Sequence, residues 1–258
     1  MPLTDKTAFL KAAASEDEKF LLAKAYDLLY SSEKTGDAMY LGFETPVFCK
    51  KLEKLSCKEK DISVVSFGGY SEAERKVAGF IPVCDTPDFP ISVVEVTGRS
   101  DTLTHRDYLG SILGLGITRE NVGDICIEDG RSYVFCLSSM ADFIAMNLTA
   151  VKKESVSCKV LPCQNINITS NFEFFKGTVP SERADAVLSV MFKISRSDAL
   201  EAIKASRVHV NYEELKDPSK KLKEKDVVSL RGFGKAVLEE FGGFSRKDRL
   251  FITVKKFL

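Results

Sequence analysis

The stretch from Ser195 to Asn211, SRSDALEAIKASRVHVN, decides how the last third of this chain folds. Ser195 stands where a side chain accepts an N–H of a first helical turn. Asp198, three residues on, can reach back, so the two spell an N-terminal capping box. The helix is therefore expected to start at Arg196. Ala199, Leu200, Ala202, Ile203 and Ala205 recur at helical spacing as a narrow apolar stripe that leaves Arg196, Lys204 and Arg207 outside it. Val208-His209-Val210 alternates as a strand does, and Asn211-Tyr212 closes it with a residue type that tolerates turn geometry. A short basic helix that feeds straight into a strand suits a phosphate backbone.

Working outward, the stretch from Ser181 to Lys235 begins SERADAVLSVMFKISRSDALEAIKASRVHVN and ends KEKDVVSLRGFGK. It resembles the S4-type RNA-binding domain of ribosomal and RNA-modifying proteins. Arg183-Ala184-Asp185-Ala186 is similar to the R-L-D that opens the first helix of that module, with Ala184 in place of leucine. Ser195-Arg196-Ser197 resembles the S-R-S/T that opens the second, and Val208 to Asn211 resembles its V-x-V-N strand. Two positions depart from the pattern: Lys225-Asp226 stands where glycine-aspartate is usual, and Ser206 where glycine usually ends the second helix. Arg231-Gly232-Phe233-Gly234-Lys235 narrows the resemblance to the YlmH-type bacterial proteins.

The chain has 258 residues, 44% hydrophobic and 29% charged, enough for two or three domains with proper cores. No apolar run approaches the ~20 residues that cross a bilayer, and the first twenty residues carry no export signal, so no membrane insertion is expected. Seven cysteines with no C-x-x-C pair read as free thiols in a reducing cytoplasm. The net charge is zero, which alone argues against a chain coated in nucleic acid. Its distribution is uneven. Residues 181 to 258 hold 17 Lys and Arg against 12 Asp and Glu, a balance of +5, which leaves 20 against 25 for residues 1 to 180.

Three blocks of an α+β chain are expected: an N-terminal α+β domain over residues 1–85, a ferredoxin-like domain over 86–165, and the S4 RNA-binding domain over 181–258. Residues 1 to about 60 read as helical, with a helix over 17–30 capped by Ser15 and a second over 46–55. Strands follow over 62–67 and 75–81, joined at Gly68-Gly69. The stretch from Phe67 to Lys76, FGGYSEAERK, also resembles a YlmH motif, and it reads equally as a phosphate-touching turn or a plain hairpin. In the middle block, strands over 91–97, 124–137 (a hairpin at Asp129-Gly130) and 156–161 alternate with helices that start at Thr104 and Ser139. The order βαββαβ is that of a ferredoxin-like sheet, also used by RRM domains. Tyr133 and Phe135 sit where RRM aromatics would, though such residues on a strand are more often core.

Leu103 to Asp124, LTHRDYLGSILGLGITRENVGD, resembles the central YlmH motif as well. His105 and Arg106 at the helix start, with Arg119 in the following loop, make a candidate anion-binding corner. Glycines 110, 114, 116 and 123 read as close packing and a helix stop. His105-Arg106-Asp107 imitates a kinase catalytic loop, but Ile112 stands where asparagine is required. Gly98 to Thr104 partly resembles the G-R-L-D-x-x-T element of pseudouridine synthases, which makes Asp101 a candidate nucleophile for a competing enzymatic reading. Those enzymes usually carry the S4 module at the N-terminus. Neither nucleotide signature of a tyrosyl-tRNA synthetase occurs, and two histidines leave little for acid-base chemistry.

The reading adopted is a non-enzymatic RNA-binding protein without cofactors. Arg183, Arg196, Lys204, Arg207, Arg231 and Lys235 are expected to line one surface and take phosphates, with Ser195, Ser197 and Asn211 donating neutral hydrogen bonds. Lys220-Lys221-Leu222-Lys223 adds a sequence-independent contribution, and Phe241 and Phe244 are expected in the core. The YlmH resemblance implies ribosomal RNA and tRNA on the large ribosomal subunit as partners, in rescue of stalled subunits, and a connection with division-site placement. An adaptor that recruits quality-control or division proteins stays open.

Overall fold

The Ser15 hydroxyl accepts the Glu18 N–H at 3.1 Å, and this cap starts the first long helix where the sequence places it. The computed structural model describes residues 6–56, 61–98, 103–128, 130–163 and 172–257. The chain divides into two compact units, Met1–Ile168 and Thr169–Leu258. No helix among the described residues is long and apolar enough to cross a membrane.

In the first unit α1 (Lys6–Leu10) and α2 (Glu16–Thr35) lead into β1 (Met39–Glu44), followed by α3 (Pro46–Ser56), β2 (Ile62–Phe67) and β3 (Lys76–Pro82). The three strands form an antiparallel sheet in the order β1-β3-β2. The helical expectation for residues 1–60 is thus corrected at β1. Its six residues carry a weak local signal, and it exists because β3, far along the chain, supplies its hydrogen bonds.

The second block runs β4 (Ile91–Gly98), α4 (His105–Gly114), a 3-10 turn (Arg119–Asn121), β5 (Val122–Glu128), β6 (Arg131–Leu137), α5 (Ser138–Asn147), β7 (Ala150–Val151) and β8 (Glu154–Pro162). Its antiparallel sheet has the order β5-β6-β4-β8-β7. Tyr108 and Ile112 of α4 and Ala141 and Ile144 of α5 pack on Val94, Val96 and Val134, so both helices cover one face. Against the other face Phe43 and Val77 of the first sheet pack with Ile91, Val93 and Phe135. Phe135 is fully buried and Tyr133 packs beside it, as core rather than platform. The Ser139 cap does not form: α5 starts two residues earlier than that cap implies, at Ser138, with Leu137 at the cap position. A Cβ on Gly123 would meet the Phe43 ring at 2.5 Å, so close packing holds there, and Gly116 ends α4 at φ 85°. Gly110 and Gly114 face open space instead, which corrects the packing expectation for both.

The second unit is a six-stranded antiparallel sheet with two helices on one face. Its elements are β9 (Phe172–Val179), α6 (Ala184–Met191), α7 (Arg196–Lys204), β10 (Val208–Val210), β11 (Glu213–Glu214), β12 (Val227–Leu230), β13 (Gly234–Phe244) and β14 (Leu250–Phe257). The order is β11-β10-β12-β13-β14-β9. Val187, Leu188 and Met191 of α6 and Ala199, Ala202 and Ile203 of α7 bury against Val208, Val228, Ala236, Leu238, Ile252 and Val254. That contact fixes which face of each strand is covered. α7 ends in a Schellman motif: the Arg207 N–H donates to the Ala202 carbonyl and the Ser206 N–H to that of Ile203, both at 3.0 Å. The residue at its left-handed position is Ser206, φ 54°.

Candidate nucleic-acid interface

Asp185 organises the cationic side of the second unit. It lies in the first turn of α6 and is buried to 2%, and its carboxylate accepts Arg183 Nε at 3.1 Å, Arg196 Nε at 2.9 Å and Arg196 Nη2 at 2.8 Å. Burial alone would raise this carboxyl, but the hydrogen bonds from Arg183 and Arg196 outweigh it and hold its pKa below the ordinary carboxylate value. One negative charge thus aligns two arginines whose side chains remain 40% and 51% exposed, and the group as a whole stays positive. The expected capping box sets the second arginine in place. Ser195 Oγ accepts the Asp198 N–H at 3.0 Å, and the Ser195 N–H donates to Asp198 Oδ2 at 3.3 Å. Ser197 Oγ lies 2.8 Å from Ser195 Oγ, so both hydroxyls sit at the positive end of α7.

The lysine tract joins this pair through the backbone. The Ala184 N–H donates to the Lys220 carbonyl and the Leu222 N–H to that of Glu182, which lays residues 218–222 across the start of α6. Leu222 is buried in the core while Lys220, Lys221 and Lys223 are exposed, and Lys221 meets Glu182 at 3.1 Å. A shallow groove beside Arg183 is lined by Lys221 and Phe244. Phe244 is 68% exposed, which corrects its expected place in the core, whereas Phe241 packs against the core as read.

A second cationic group lies at the other end of α7, about 12 Å along the helix axis from Arg196 to Lys204. The Arg231 N–H donates to the Arg207 carbonyl at 2.9 Å, so the loop after β12 sits against the turn after α7 and brings Arg207 and Arg231 together near Lys204. Two expected contributors are placed differently. Asn211 uses its amide on the loop itself, donating to Asp226 Oδ1 at 2.8 Å and accepting the Val227 N–H at 2.9 Å. Lys235 precedes the buried Ala236 and therefore lies on the sheet face turned away from the helices, with Nζ 5.1 Å from the centre of the Tyr212 ring. Lys235 thus leaves the single surface expected for all six cations, while Arg183 and Arg196 stay together at the helix starts and Arg207 and Arg231 meet through their backbones at the turn after α7.

In the first unit the anion corner is not assembled as read. Arg119 turns inward and donates to the carbonyls of Val122 and Gly123, and burial, with Arg75 nearby, lowers its pKa to about 10. His105 is exposed at the start of α4. The protein mass around it and the Arg119 guanidinium hold its pKa below the ordinary value, which disfavours the charged form that an anion would need. Arg106 is exposed on α4. Arg75 of the FGGYSEAERK stretch is likewise structural: it donates to the Phe43 carbonyl, and its own N–H, with that of Glu74, is held by Asp124. Asp107 holds the Thr104 N–H at 2.9 Å and Lys152 at 2.8 Å, duties of a helix start. Asp101 and Asp129 lie outside the described residues.

Two short helices with arginines at their starts, docked on an antiparallel sheet, present a cationic end suited to phosphates. Residues 182–228 match the S4 domain family. Residues 85–165 match the family described as "Putative RNA-binding domain in YlmH". The chain is 32% identical over 204 residues to "Ribosome-associated protein quality control protein P2" of Bacillus subtilis (strain 168), spanning 77% of this chain and 79% of that one. It belongs to the YlmH family. The structure of the cell division protein YlmH from Streptococcus pneumoniae superposes with a TM-score of 0.52 at 21% identity, over 60% of this chain and 98% of that chain, a likeness of fold.

Proposed function

We propose that this protein is a non-enzymatic, cytoplasmic RNA-binding protein that attaches to the large ribosomal subunit and contacts ribosomal RNA and tRNA in ribosome-associated quality control. The observation that carries the reading is the Asp185 clamp, in which one buried carboxylate holds Arg183 and Arg196 side by side at a helix start. A guanidinium pair set in advance loses less rotamer freedom on meeting phosphates than two unrestrained side chains do. The name of the Bacillus subtilis relative supports ribosome association, and that of the streptococcal protein supports a link to division. The order β5-β6-β4-β8 with both helices on one face supports reading the central block as a ferredoxin-like domain.

The test is co-sedimentation with large ribosomal subunits. Arg196→Glu is a poor variant, because it sets a second carboxylate against buried Asp185 and endangers folding. Arg207→Glu with Arg231→Glu disturbs no ion pair described in the structure. The doubly substituted protein is expected to keep its melting temperature and leave the subunit fraction. Sedimentation equal to wild type would overturn the reading. Incubation of the purified protein with ribosomal RNA is expected to yield no pseudouridine, and an Asp101-dependent product would make it an enzyme.

A further inference from the structure

The helix-free face of the six-stranded sheet does not look like the polar outer face of an ordinary antiparallel sheet. On β9 the outward positions include Phe172 and Phe174, and on β14 they include Phe251, Lys255 and Phe257. The intervening residues Phe175, Ile252 and Val254 pack into the core on the opposite face. Phe174 is 61% exposed, Phe251 43% and Tyr212 38%. Lysines are interleaved with the rings. Lys255 Nζ lies 3.5 Å from the centre of Phe172 and 6.0 Å from that of Phe174, and Lys235 Nζ lies 5.1 Å from Tyr212 and 5.3 Å from Phe257. Phe172 and Phe257 meet edge to face at 5.2 Å and close one end of the patch.

We propose that this face is a second RNA-binding surface, which takes an unpaired strand by stacking bases on Phe174, Phe251 and Tyr212 while Lys176, Lys235 and Lys255 meet its phosphates. Stacking on aromatic side chains with cations alongside is how single strands are held without regard to sequence. A protein partner is disfavoured by the lysines, since the cores of protein interfaces are depleted in that residue. The acidic groups nearest the patch on β13 are engaged: Glu239 pairs with Lys225, and Glu240 accepts the Thr253 hydroxyl at 3.0 Å. The proposal shares with the function above only the class of ligand. The arginines at the two ends of α7 take folded RNA, and the sheet face takes unpaired RNA.

The experiment titrates the full chain with a labelled oligouridylate and, separately, with a stable RNA hairpin. Phe174→Ala and Phe251→Ala are each expected to weaken oligouridylate binding ~5- to 150-fold, to leave hairpin binding within twofold, and to leave the melting temperature unchanged, since both rings are exposed. Arg207→Glu with Arg231→Glu is expected to do the reverse. The sequence contains no tryptophan, so the emission of the Phe174→Trp protein reports on that position alone, and oligouridylate should quench it. Unchanged oligouridylate affinity in both alanine variants would overturn the proposal whether or not the arginine variants act. So would a loss of self-association or of a protein partner in those variants without any effect on RNA.

Discussion

The two residues that stand where the S4 pattern has glycine are both held in left-handed backbone. Ser206 has φ 54° and Lys225 φ 67°, at the points where the family usually carries glycine. A left-handed conformation costs a side-chain-bearing residue ~1–2 kcal/mol, against ~0.5–1 kcal/mol of extra chain entropy for glycine. Ser206→Gly is therefore expected to raise stability by about 0.5 kcal/mol in urea unfolding, because the exposed hydrogen bond from Ser206 to Glu214 contributes little in return. A loss of stability would mean that the hydroxyl matters more than the strain. Residue identity alone did not separate the arginines in the same way. Arg119 and Arg207 look equally cationic in sequence, yet one is spent on backbone carbonyls and the other is not, and only the placement of Val122 and Gly123 decides it.

Elements with local signals were legible and elements with distant partners were not. The caps at Ser15 and Ser195 and the alternation of β10 depend on residues a few positions apart. β1 and β9 exist through pairing with β3 and β14, which sequence periodicity does not encode. The Asp185 clamp belongs to this scale too, for it ties the start of α6 to the start of α7. The Asp185 pKa is lowered in the folded chain, so its contribution is fully present above the unfolded aspartate value of ~3.9 and fades as pH falls through the lower folded value. Asp185→Asn is expected to cost about 1–3 kcal/mol at pH 7, because a neutral amide accepts poorly from two guanidiniums that can turn to water. Urea unfolding at pH 7 and again below pH 3 checks it: the gap between wild type and variant should shrink on acidification. A gap that widens instead would remove the clamp from the account.

At the scale of the whole molecule, the second unit has a core that, among the described residues, is built from side chains between Phe175 and Val254. A chain of residues 169–258 should therefore unfold cooperatively on its own and carry the folded-RNA affinity of the intact protein, because the clamp and the Arg207–Arg231 pair are complete within it. The charge balance of +5 over residues 181–258 lies on that same piece. If Arg183, Arg196, Arg207 and Arg231 each neutralise one phosphate, log affinity for a folded RNA should fall against log salt with a slope of ~3–4. Arg207→Glu with Arg231→Glu should bring it to ~2 or below, measured by anisotropy over a salt series. A wild-type slope near ~1 would mean that these four arginines do not reach phosphates together. The clamp would then be a device for holding α6 against α7 rather than for holding RNA.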